Sequence, residues 1–201
     1  MSILDPAARG RIYAFFSRLW VREVDEAFVE ALKSALGREL LPDFWATEEP
    51  ALLDRAAERQ ATFDADFVHL TVVNLVPYES FFRREDGMLE SGAANPVSLF
   101  LRRYGFEVDL AQARSLAPDH LGIELEVMSV LCDKEREALE AGNAPYATVV
   151  RGVERDFLTQ HLLTWAPVYL FAARRNGRSA LYRDAAEATL QFLHLDHGGL
   201  E

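Results

Sequence analysis

Apolar residues recur three and four positions apart along almost the whole chain, and no stretch alternates in the manner of a half-buried strand. That periodicity confines the fold to packed helices. It is clearest near the start, where Ile12, Phe15, Phe16 and Leu19 share one face of a helix predicted over roughly 6–21. Asp5 stands where an N-cap is needed, and Pro6 occupies the first helical position, where a missing N–H is harmless.

Proline and glycine divide the rest. A second helix is predicted over about 25–36, with Gly37 as its stop. Pro42 and Pro50 bracket a short segment carrying Phe44 and Trp45. A long helix over about 50–74 follows, with a stripe of Phe63, Phe67 and Leu70. Pro77 breaks the pattern, and 83–94, with Gly87 and Gly92, reads as a mobile connection. Asn95-Pro96 opens a helix that Gly105 ends. Pro118 opens a long one over about 118–141, striped by Leu121, Leu125, Met128 and Cys132. Further helices are expected over 146–164, 167–176 and 179–195. The sum is eight or nine helices in one all-α, bundle-like domain spanning 1–195, with 196–201 a frayed tail. The connection at Gly87–Gly92 is a candidate hinge across which halves could exchange between protomers, so the chain would be a monomer or a homodimer.

The 201 residues are half hydrophobic, enough for one sizeable core. Acidic residues outnumber basic ones, 32 to 21, for a net charge of −11. Phosphate backbones need a positive face, so nucleic acid is not an expected partner, and a cationic ligand is favoured. No run approaches a membrane span. The first residues lack the basic-then-apolar order of a signal peptide, and the single cysteine, Cys132, can form no internal disulfide. A cytoplasmic protein is expected.

Three segments carry more than periodicity. The first is Asp64-Ala65-Asp66-Phe67-Val68-His69-Leu70, followed by Pro77-Tyr78-Glu79-Ser80. The second is Pro118-Asp119-His120-Leu121-Gly122-Ile123-Glu124-Leu125-Glu126-Val127-Met128, similar to E-P-D-H-x-x-x-E-L-x-F-M. The third runs from Phe157-Leu158 through His161-Leu162 to Trp165-Ala166-Pro167, similar to F-L-x-x-H-L-x-x-W-x-P. In order and spacing they resemble the TorD/DmsD/NarJ redox-enzyme maturation chaperones, over roughly residues 10–195. Ala117 and Val127 depart from the pattern, standing where that family usually has Glu and often has Phe.

The resemblance implies an all-helical protein that catalyses nothing and needs no cofactor or metal of its own. It implies binding to a molybdopterin-dependent oxidoreductase subunit, to that subunit's twin-arginine leader, or to both, until the client's cofactor is loaded. Carried over by position, the client surface would include Pro77, Tyr78 and Ser80, with Asp119 and His120 nearby.

The residues themselves add a physical reading. Asp119 and His120 follow Pro118, so they are expected in the first helical turn, where a carboxylate is stabilised whatever its role. The break at Pro77 would expose backbone that an extended peptide could pair with, and would present Tyr78 as a rigid anchor; the alternative is that Tyr78 packs between helices. Ser80 would cap the segment after Pro77. Asp64 and Asp66 flank apolar stripe positions, so they should face solvent or a groove edge, where Asp66 could meet an arginine of the leader. Phe157, Leu158, Leu162 and Trp165 read as a core stripe and His161 as a packing histidine.

A small helical enzyme or a nucleotide-binding regulator is the competing class. Ser80, His120 and an aspartate can be drawn as a triad, but no G-x-S-x-G elbow accompanies them. His194, Asp196 and His197 can be drawn as a metal site, and Asp66-x-x-His69 has no second copy. There is no G-x-x-x-x-G-K-[ST] phosphate loop.

Overall fold

A computed structural model describes residues 5–201. Among them there are ten helices and no strand. Four long helices make the centre of the bundle: α1 (Pro6–Val21), α8 (Leu121–Glu140), α9 (144–176) and α10 (Ala180–Leu200). Around them run α2 (Glu26–Lys33), α3 (Ala35–Leu40), α4 (Pro42–Trp45), α5 (56–73), α6 (Glu79–Arg83) and α7 (Pro96–Tyr104).

Several starts obey the local chemistry of the sequence. Asp5 accepts from the Ala8 N–H at 2.7 Å, and Asp25 caps α2 through the Phe28 N–H at 2.9 Å. Asn95 caps α7, which ends at Gly105 in the left-handed conformation that glycine adopts without strain (φ 71°).

Elsewhere the boundaries differ from expectation. Gly37 does not stop a helix: α2 ends at Lys33, Ser34 caps α3, and Gly37 lies inside α3. A Cβ there would collide with the carbonyls of Ala31 and Leu32 in the preceding helix, so the glycine serves close packing. The long helix expected from 50 begins only at 56, after a separate 3₁₀ turn at Glu49–Leu52. The helices expected over 146–164 and 167–176 are one. Pro167 leaves a carbonyl one turn back without its N–H partner, and the chain widens to i→i+5 bonding at Leu158–Leu162 just before it, with the Leu163 N–H reaching Leu158 O.

The tail is also corrected. α10 runs through Leu200, and both Asp196 and Leu200 are buried. The reason is a long-range ion cluster. Arg9 on α1, itself 1 % exposed, donates from Nε to Asp196 of α10 at 2.5 Å and from Nη1 to Glu135 of α8 at 2.9 Å. Its Nη2 lies 2.5 Å from Glu154 of α9, and Tyr13 donates to Asp196 at 2.6 Å. One side chain thus ties together one residue from each of the four long helices.

α1 and α8 cross closely. Gly10 places its backbone beside the Cys132 side chain, its carbonyl accepting from Ser129 Oγ at 3.0 Å. At the other end a Cβ on Gly122 would come within 2.8 Å of Val21 Cβ. The core between the long helices is aromatic, with Tyr13, Phe16, Trp20, Trp165, Tyr169 and Tyr182 fully buried.

Candidate functional site

The break after Pro77 and the turn before α8 meet. Tyr78 and His120 form an isolated antiparallel bridge: the Leu121 N–H donates to Pro77 O at 2.9 Å, and the Glu79 N–H donates to Asp119 O at 3.0 Å. Five of the residues expected at a binding site, Pro77, Tyr78, Ser80, Asp119 and His120, are therefore brought together, and all five are buried. The sixth, Asp66, is elsewhere.

Each makes a specific contact. The Asp119 carboxylate accepts from the Ser80 N–H at 2.7 Å and so caps α6 from another segment, a role its neighbour Tyr78 does not fill. Burial pushes the Asp119 carboxyl above its usual range, against the Ser80 N–H that lowers it. Ser80 Oγ in turn accepts from the Glu90 N–H at 3.0 Å, pinning the 84–94 connection. His120 is the N-cap of α8: its Nδ1 accepts from the Gly122 N–H at 3.1 Å. That requires a neutral ring, and burial lowers its pKa to about 4. The ring stands edge-on to Tyr78, centroids 5.0 Å apart. The Tyr78 hydroxyl accepts from the Leu116 N–H at 3.2 Å and from Ser115 Oγ at 3.3 Å.

Five expectations change here. Ser80 lies inside α6 and does not cap it; the Asp119 carboxylate does. Tyr78 is buried rather than exposed, because its hydroxyl fixes the 115–116 turn. The backbone at the break is already paired with residues 119–121, so it is not open to a peptide. Asp119 and His120 precede α8 instead of forming its first turn, because the imidazole takes the capping place. Asp66, expected at solvent or a groove edge, is 1 % exposed and accepts from the Ser179 N–H and Oγ at 2.8 and 2.7 Å and from the Arg178 N–H, holding the start of α10. The bond network also dismantles the drawn triad and metal site: His120 and Ser80 serve backbone N–H groups, and Asp196 is turned into the core against Arg9.

Sequence reasoning missed an acidic centre behind this joint. Glu79 and Glu124 are both fully buried. Glu79 is held by Arg83 and by His161 Nδ1 at 2.9 Å, and Glu124 accepts from Trp165 Nε1 at 3.2 Å. Burial, and then the neighbouring Glu79 carboxylate, hold the Glu124 carboxyl well above the usual range. The signal was present in the quoted segments, which contain Glu79, Glu124, His161 and Trp165, but only the fold pairs them. The core reading of Phe157, Leu158, Leu162 and Trp165 agrees with their burial, and His161 is indeed a satisfied histidine.

Two clefts border the helices that meet at the joint. One of about 600 Å³ is bordered by Arg83, Leu99, Phe100, Arg103, Tyr104 and His161. The other, of about 590 Å³, lies between α1, α8 and residues 106–113. Its apolar wall includes Val21, Ile123 and Val127; Glu107, Asp109 and Glu126 place carboxylates around it, and Arg18 and Arg22 line it too, Arg18 paired with Asp25 and Arg22 donating to Gln112 O. None of the five joint residues lines this groove, but the joint fixes elements on two of its sides. His120 sets where α8 begins, and Tyr78 anchors the turn that ends the 106–116 segment.

Residues 22–170 match the family model described as nitrate reductase delta subunit. Relatives include proteins named chaperone protein TorD. The one from Vibrio parahaemolyticus is 25 % identical, covering 94 % of this chain and 92 % of its own. That from Vibrio cholerae is 26 % identical, over 94 % and 90 %. That from a Psychrobacter species is 27 % identical, over 96 % and 92 %. These names are those of chaperones, in line with the expectation of a binding function. No solved structure matches the chain.

Proposed function

Since the chain belongs to the nitrate reductase delta subunit family, we propose that it is a chaperone for the maturation of a molybdopterin-dependent oxidoreductase, binding the immature catalytic subunit, its twin-arginine leader, or both. The observation that carries this is coverage: the similarity to proteins named as chaperones runs over 94 % of this chain and 92 % of the relative.

The groove beside the joint suits the leader in particular. A twin-arginine leader joins a cationic pair to an apolar helix, and this groove joins an apolar wall to three carboxylates, Glu107, Asp109 and Glu126, while its two arginines, Arg18 and Arg22, are engaged by Asp25 and by Gln112 O. In this reading Pro77, Tyr78, Ser80, Asp119 and His120 act as the frame that sets the groove's width, and α8 and the 106–113 segment make the contacts. No helix of the described residues is long and apolar enough to cross a membrane, and the proposed setting is the cytoplasm, before the client is exported or assembled.

The test is affinity capture of the tagged protein from its native host, with mass spectrometry of what is retained. Recovery of a molybdopterin-type catalytic subunit with its leader uncleaved is the expected result; repeated recovery of none overturns the reading. The groove is tested by the double variant Asp109→Lys/Glu126→Lys, both positions being exposed. Reversing two charges should weaken capture of an arginine-pair leader peptide by about tenfold or more at low salt, with unchanged helicity. Unchanged capture would move the leader to another surface.

A further inference from the structure

The acidic centre behind the joint is out of balance. Glu79 of α6 and Glu124 of α8 lie side by side, both with no solvent exposure. The charged groups facing the pair are Asp119 from the turn before α8, Arg83 from α6 and His161 from α9. Arg83 is half in solvent and lies on the Glu79 side, as does His161. Glu124 has one neutral donor, the Trp165 indole, and its other oxygen finds no donor among the described residues. Two buried carboxylates in contact cannot both stay ionised without a second cation between them, so one proton must be held there. A protonated Glu124 supplies the missing donor and turns the repulsive pair into a bond between α6 and α8.

We propose that the Glu79–Glu124 pair is a proton-linked latch in which Glu124 acts as a positioning residue: with the proton held, α6 stays docked on α8 and α9 and the joint is closed, and with the proton lost, α6 loosens and the groove loses its frame. The consequence for binding rests on the chaperone reading above; the latch does not. α6 is the element to yield because it has only five residues, and it is fixed mainly by Asp119, Glu79 and the packing of Phe82 on Trp165. It also begins at the bridge that sets the start of α8, so its release is felt at His120 and Tyr78. The sign follows from the raised folded-state pKa of Glu124: the latch is intact at low pH and is lost as pH rises through that value.

Two measurements test it. Without any client, amide exchange followed by mass spectrometry compares residues 79–83 with the middle of α1 across about pH 6.5 to about pH 9, after correction for base-catalysed exchange. Protection of 79–83 should fall by about tenfold or more relative to α1, and in Glu124→Gln, which keeps a donor at every pH, it should not. Equal protection in the wild type at all pH values overturns the latch, whether or not the variant folds. Binding of a synthetic peptide with an arginine pair and a leucine-rich helix should then weaken over the same range in the wild type and stay level in Glu124→Gln. Parallel binding profiles also overturn the latch, and absence of binding at every pH, with α6 opening as expected, counts against the chaperone reading alone.

Discussion

The Arg9 centre and the Glu79–Glu124 centre are both buried and both join helices far apart in sequence, yet they are balanced by different means. Around Arg9 a permanent cation sits among Asp196, Glu135 and Glu154, with Arg151 reaching Glu135 from the half-buried side. In the other centre two carboxyls meet with no fully buried cation, so a proton has to do what a guanidinium does in the first. A guanidinium stays charged across the working pH range. A carboxyl proton does not. The first arrangement therefore suits a part of the molecule that must never open, the crossing of the four long helices. The second suits a short helix beside a binding groove, where local opening is compatible with the rest of the fold.

The sharpest way to break the contrast is to remove the cation. Arg9→Met leaves three carboxyls facing one another in the core, and should destabilise the protein by about 3–5 kcal/mol. Urea unfolding at neutral pH checks it; a loss under about 1 kcal/mol would mean that the cluster is not what closes the bundle. By comparison Glu124→Gln should barely change global stability near neutrality, because the protonated acid it mimics is the form already present.

A smaller effect concerns Glu154, the most crowded acid around Arg9. Burial raises its pKa to about 7, from an ordinary value of 4.5. A raised folded-state value means that the stability tied to this group is complete below pH 4.5 and declines as pH rises to about 7. Glu154→Gln should lack that decline, so the Tm difference between variant and wild type should move in the variant's favour across this window. A constant difference would show that Arg9 holds Glu154 ionised throughout.

The smallest effect is at the joint. The His120 ring is neutral in the fold, its pKa lowered by burial to about 4 from 6.5. A lowered value for a base means that stability is complete above pH 6.5 and is lost as pH falls towards 4. His120→Asn retains a capping acceptor for α8, so stability at neutral pH should change by less than about 1 kcal/mol. Its acid limb between those values should be flatter than that of the wild type. Equal limbs would place the acid sensitivity at other groups.

The local chemistry of several helix starts was legible without any structure, while the stop expected at Gly37 and the starts expected at Pro50 and Pro118 were not where the helices end or begin. Asp5-Pro6, Asp25, Asn95-Pro96 and Ser179 act over three residues or fewer, and the helices begin where they say. The three quoted segments were legible too, and they do mark the joint and its backing. Their roles were not. Tyr78 beside a helix break reads as an exposed anchor until the Leu116 N–H is found on its hydroxyl. Asp66 between apolar positions reads as an exposed acid until the start of α10 arrives against it.

What the sequence determined by itself was the class of fold, several of the helix starts and the acidic balance of charge. These follow from periodicity, capping and composition, which act between near neighbours; the segments worth watching came from their resemblance to a family. Only the tertiary structure decided which polar residues would be buried together. Arg9 and Asp196 are 187 positions apart, and Ser80 and Asp119 are 39. An isolated helix gives no sign of such pairing, since a charged residue on its buried face is unfavourable until a partner from another helix removes the penalty. The same reason makes the last helix run to Leu200: two glycines and no sequence cap predict fraying, and the Arg9–Asp196 contact holds the turn in place.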